Sequence, residues 1–144
     1  MALDDHFAAE IQKVEASFGF WQFQCDPNEI STSIGIEPDE ILRKGEIRLA
    51  AQTWRVTTPF NSWSIQSRSV SKDANEHLRE LFVRLKGVES LLRPEWGVPS
   101  FSILYKATHL RRGNGPFFEA DVIASVARFQ AELWQDIYAL DEEP

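Results

Sequence analysis

Between Ile11 and Gln24 the apolar positions recur with period two. Val14, Ala16, Phe18 and Phe20 fall on one face, and Trp21, Phe23 and Cys25 on the other. This predicts a strand buried on both sides, or an interior strand whose second face is covered only near its end. The pattern then changes. Asp26 is a good N-cap, Pro27 suits the first helical position, and Glu29 places negative charge in the first turn. Ile30 and Ile34 share a face, Gly35 can end the helix left-handed, and Pro38 blocks a restart. A short helix over 27–34 follows.

Residues 37–50 carry little pattern beyond a turn at Arg43-Lys44-Gly45-Glu46. Thr53–Thr57 is β-branched and aromatic, Thr58-Pro59-Phe60-Asn61 is turn-like, and Trp63–Ser67 alternates. Two strands forming a hairpin or near-hairpin are expected there. Leu78, Leu81, Phe82, Leu85, Val88 and Leu92 then form an apolar stripe at helical spacing, capped by Ser71 or Asp73 and stopped by Pro94. Gly87 weakens that helix by about 1 kcal/mol relative to alanine and marks a bend or early end.

Phe101, Ile103 and Tyr105 alternate as another strand. Arg111–Pro116 reads as a loop, and a third helix starts near Glu119. Leu133–Leu140 alternates and favours a final strand over a continuation of that helix. The expected order is β-α-β-β-α-β-α-β. The fold class is α+β, a two-layer sandwich with helices on one face of a mostly antiparallel sheet. The length of 144 residues fits one domain. Residues 1–10 are expected to be a frayed or short helical lead-in, and the acidic tail 141–144 to be poorly ordered.

Taken in order, the strand ending near Cys25, the Asp26-Pro27-Asn28-Glu29-Ile30 cap and Ile34-Gly35-Ile36-Glu37-Pro38 are similar to the opening of a bacterial family, domain of unknown function 4279. Lys44-Gly45-Glu46, Trp63-Ser64, the leucine-rich helix from His77 to Leu92 and the closing Asp136-Ile137-Tyr138 match its general layout. The resemblance covers roughly 14–140. It implies an α+β layout and brings no activity, cofactor or catalytic residue. The long segment 46–62 and the density of tryptophan depart from the family pattern.

Charge adds an asymmetry. The net charge is -7, yet residues 49–115 hold ten bases against five acids, and both flanking segments are acidic. Overall acidity argues against nucleic-acid binding and suits either simple solubility or a basic partner. No apolar run reaches the roughly 20 residues of a membrane span. The acidic start lacks a signal peptide's basic and apolar regions, and Cys25 is the single cysteine. A reducing cytoplasm is the expected location.

Few residue patterns in the chain point to chemistry. His6, His77 and His109 have no metal-ligand spacing, so no metal and no cofactor are expected, and the three read as unrelated surface or capping residues. Cys25 beside a helix N-terminus has its thiolate disfavoured by Asp26 and reads as a small hydrophobe. Gly113-Asn114-Gly115 after Arg111 and Arg112 lacks a phosphate-loop pattern and reads as a plain turn. Glu37, Asp39 and Glu40 read as solvated charge. No catalytic residue is assigned.

The five tryptophans are the one excess. Trp54 and Trp63 flank the turn at Pro59. With Arg55 and Arg68 they form either an aromatic and cationic partner surface or core covered by solvated charge. Two functions follow. One is a non-catalytic binding module, of an immunity or accessory type, holding a protein partner or a second copy. The other is a small-ligand-binding domain or enzyme with a dispersed site around Trp54, Trp63, Arg68 and Arg111.

Overall fold

The structure, a computed structural model, describes residues 10–50, 54–108, 110 and 115–140. In chain order the elements are β1 (Glu10–Phe23), α1 (Pro27–Ile34), β2 (Glu40–Leu42), β3 (Ile47–Ala50), β4 (Trp54–Thr57), β5 (Asn61–Gln66), α2 (Ala74–Arg84), β6 (Ser100–Thr108), α3 (Ala120–Arg128) and β7 (Glu132–Ala139). Two 3-10 turns, Val88–Ser90 and Pro94–Trp96, connect α2 to β6. The arrangement is α+β with a mostly antiparallel sheet, as the periodicities predict. Two short strands, β2 and β3, are added in the segment that carried no pattern.

β1 is the centre of a five-stranded sheet in the order β2-β5-β1-β6-β7. β5 and β6 flank β1 antiparallel, and β2 pairs antiparallel with β5. β7 runs parallel to β6, because α3 carries the chain back to the sheet's starting end. β3 and β4 form a separate two-stranded ribbon.

The alternation in β1 sends Val14, Ala16, Phe18 and Phe20 beneath the helices, beside Trp63 and Ile65 of β5 and Phe101 and Ile103 of β6, all buried. Phe18 lies 4.8 Å from Phe101 and 5.7 Å from Phe129 between ring centres. Leu78 and Leu81 of α2 and Val122 and Val126 of α3 close this layer. Each large apolar side chain so buried contributes roughly 1.5–3 kcal/mol.

Local signals set the element ends. Asp26 Oδ1 accepts from the Asn28 amide, Pro27 occupies the first turn, and Gly35 is left-handed at φ 75°. Asp73, not Ser71, caps α2. α2 stops at Arg84, and Gly87 at φ 84° turns the chain. The apolar stripe therefore continues on a turn: Leu85 and Val88 are buried beyond the helix, and Leu92 is half-buried in the connection. α3 ends with Gln130 left-handed at φ 52°. This turns the chain into β7, so the final segment is a strand rather than more helix.

Two expectations are corrected. Phe23 belongs to the core face, not to the face of Trp21. The register passes from Trp21–Ser62 to Phe23–Asn61, so the left-handed Gln22 is an extra residue that shifts the alternation by one. Phe23 is buried. The Trp54–Trp63 hairpin does not form either. β4 pairs with β3, and the main chain extends that ribbon through Thr58 N–H donating to the Glu46 carbonyl. Asn61 draws β5 away to the main sheet, since its amide nitrogen donates to the Phe23 and Cys25 carbonyls. The expectations for 1–9, Arg111 to Asn114 and 141–144 lie outside the described residues.

Candidate binding site

The residues singled out in the sequence do not converge. Trp63 lies on the helix-covered face with no solvent exposure, and its indole N–H donates to Ser31 Oγ at 2.9 Å. Arg55 stands exposed on the ribbon opposite Leu49. Trp54 holds the ribbon's last pairing position, opposite Ala50. Arg68 follows β5 and reaches Asp39 at 3.6 Å. Arg111 lies outside the described residues.

Asp39 is also more than solvated charge. Its carboxylate accepts from the Gln66 amide and pairs weakly with Arg84, so it fastens the β2 edge. Glu37 and Glu40 carry no such role among the described contacts.

His77 is buried rather than on the surface. Its Nδ1 lies 2.6 Å from Ser67 Oγ and its Nε2 lies 2.6 Å from the Ser71 carbonyl. A serine beside a histidine is the first half of a nucleophilic dyad. Here Ser67 Oγ also accepts from the Ala16 amide, and the histidine is closed to solvent. The simplest assignment has Nε2–H donating to Ser71 and Ser67 donating to Nδ1, a clamp between β1 and the loop before α2.

Cys25 is half-buried, and its thiol is pushed above its ordinary value by burial, then by Glu29. That opposes reactivity. Among the described residues no group of His, Cys, Asp and Glu side chains is arranged to hold a metal ion.

Concavity lies on the other face of the sheet. Register places Gly19, Ser100 and Glu132 in one row across β1, β6 and β7, and Ser17, Ser102 and Trp134 in the next. Glu15, Leu104 and Asp136 make the third row. Ser17, Ser100 and Ser102 are too short to fill the space above the backbone, so a trough runs between taller neighbours. Trp21 and Phe60 stand at one end, and Trp134 stands along the outer strand. This cavity is about 610 Å³. A smaller one of about 170 Å³, lined by Glu15, Ser17 and Gln66, shares Ser102 and Asp136 with it.

The trough's chemistry is aromatic and acidic. Trp21 is fixed, because its indole N–H donates to Ser100 Oγ at 2.7 Å. Trp134 is 61% exposed. Glu132 and Asp136 flank it two residues away on the same face, so each carboxylate root is about 6–7 Å from the tryptophan. Neither makes a hydrogen bond through its side chain or an ion pair among the described residues, and no lysine or arginine lines either cavity. Glu15, by contrast, is paired with Lys13 at 3.2 Å. An aromatic face between unpaired carboxylates attracts a cation twice, by ring quadrupole and by charge.

None of this was singled out in the sequence. The available signal was the same-face set Glu132, Trp134, Asp136 and Tyr138 on the last strand, opposite Ser100 and Ser102.

Over residues 12–140 the chain matches the model of the family described as domain of unknown function (DUF4279). No curated protein and no solved structure matches it. Among the described residues no helix is long and apolar enough to cross a membrane.

Proposed function

The chain belongs to the domain of unknown function 4279 family, and since that premise carries no activity, we propose from the site itself that the protein is a non-catalytic binding module. Its open sheet face takes cationic side chains of a basic protein partner. The observation that carries this reading is the pair of unpaired carboxylates, Glu132 and Asp136, on either side of the exposed Trp134. The net charge of -7 supports it by favouring approach of a basic partner. Nucleic acid would meet the wrong sign of charge. An immunity or accessory role, holding a basic protein inactive or in place in the cytoplasm, is the use such a surface fits.

A second reading, a small organic cation in the same trough, is favoured by its volume, which lies within the range of small-molecule sites. Both readings move the ligand from the Trp54–Trp63 region to the opposite face of the main sheet.

The test is calorimetric titration of the protein with tetra-arginine, tetra-glutamate and a small organic amine. Binding of tetra-arginine alone, lost in the Glu132→Gln, Asp136→Asn double variant and weakened by salt, is the expected result. Binding of the amine with equal affinity selects the second reading. Heat from tetra-glutamate, or arginine binding unaffected by the double variant, removes the trough from consideration.

A further inference from the structure

We infer that β7 is a dimerisation edge, where a second copy of this chain adds its own β7 antiparallel and continues the sheet across a twofold axis. β7 is the last strand on its side, and among the described residues it pairs only with β6. It runs from Glu132 to Ala139 with no proline, lysine or bulge, so it lacks most devices that block edge pairing. It is also unusually bare. Trp134 is 61%, Ile137 47% and Tyr138 51% exposed, which puts apolar surface on both faces of one edge. Ile123 of α3, the helix packed against β7, is exposed too.

The backbone is poised for this. Glu132 donates its amide to the Pro99 carbonyl and Leu140 donates to the Ala107 carbonyl. In a parallel ladder alternate residues turn both main-chain groups to the same neighbour. The even-numbered residues therefore face β6, and the N–H and C=O groups of Leu133, Gln135, Ile137 and Ala139 point outward with no main-chain partner among the described residues. A twofold perpendicular to the sheet pairs only residues of the same face, which leaves few registers.

The register centred on Asp136 puts two carboxylates directly opposite each other, a destabilising contact. The register centred on Gln135 avoids this. It sets Leu133 against the other copy's Ile137 beneath the helices, and Trp134 against the other copy's Asp136 on the open face. Every residue from Glu132 to Tyr138 keeps a partner, with about six new main-chain hydrogen bonds. Centring on Ile137 also separates the acids but shortens the pairing. Of the two registers that separate the acids, the one centred on Gln135 keeps the longer pairing, so β7 can serve as its own partner strand. The pairing uses the outward backbone, and on the open face it brings the other copy's Asp136 beside Trp134, so the twofold borders the trough.

Sedimentation velocity across a concentration series tests the inference on the full chain. Wild type should be a dimer at micromolar concentration. Gln135→Pro removes an outward amide that β6 does not use, so it should keep the fold while weakening dimerisation by about a hundredfold or more. Ile137→Lys, a side-chain variant, should act in the same direction and stands in if the proline variant fails to fold. A wild-type monomer at high micromolar concentration overturns the inference. So does a dimer that Ile137→Lys and a folded Gln135→Pro leave unchanged.

Discussion

Replacing Trp63 with phenylalanine discriminates most sharply between the core and surface roles open to this residue. The indole has no exposure, packs 5.8 Å from the Phe20 ring, and donates to Ser31 Oγ at 2.9 Å. Phenylalanine keeps the aromatic ring but removes the pyrrole portion, leaving a partial cavity that costs about 1–2 kcal/mol by comparison with other large-to-small core changes. The lost hydrogen bond adds about 1 kcal/mol. The expected loss is therefore about 2–3 kcal/mol. Ser31→Ala alone should cost about 1–3 kcal/mol, because it strands a buried indole N–H. The double variant should cost less than the sum of the two by about 1 kcal/mol, since the second change no longer strands a partner. Urea titrations of the four proteins, followed by far-ultraviolet circular dichroism, provide the measurement. A Trp63→Phe unfolding free energy within half a kcal/mol of wild type would refute the burial of Trp63 and return it to the surface.

Three further outcomes are expected. Gly19→Ala would place a Cβ 2.6 Å from the Trp63 carbonyl oxygen, a backbone atom in the middle of the sheet, so it should destabilise by about 1–3 kcal/mol in the same titration. Arg79 grips Asp121 with two hydrogen bonds and holds its carboxyl below the usual carboxylate range, tying α2 to α3. A depressed carboxyl contributes stability above its unfolded pKa of about 4 and loses it as pH falls through the folded value. The melting temperature of Asp121→Asn should thus lie below wild type at neutral pH, and the gap should close in acid; a gap independent of pH would contradict this. Cys25, raised by burial and Glu29, should react with iodoacetamide at neutral pH more slowly than the same thiol in urea, as read by mass spectrometry.

What could be read from the sequence was what is decided locally. The α1 cap at Asp26, its stop at Gly35 and the alternation of β1 depend on residues within a few positions of each other. The error at Phe23 came from one left-handed residue, Gln22, which has no compositional signature. Strand pairing failed for a different reason. Proximity in sequence favoured β4 with β5, but Asn61 fastens β5 to the end of β1 through carbonyls 36 and 38 residues away. No local pattern encodes that. β2 and β3 are too short for a period to show.

The site was harder still. Its floor is Ser17, Ser100 and Ser102, positions that count as merely polar in a one-dimensional pattern. They make a trough only once register aligns them. The tryptophans drew attention as an excess, and adjacency to a turn selected Trp54 and Trp63. The fold instead brings Trp21 and Trp134 to the proposed trough.

On the proposed function, a cationic partner docks on the open sheet face and not on the ribbon or the loop after β5. Amide and indole shift mapping by two-dimensional nuclear magnetic resonance, titrating labelled protein with an arginine-rich peptide, tests it directly. Shifts should concentrate at Ser100, Ser102, Asp136 and the indole N–H groups of Trp21 and Trp134, with Arg55, Arg68 and the Trp63 indole unmoved. Shifts gathered instead around Arg55 and Arg68, or a spectrum unchanged at saturating peptide, would contradict it.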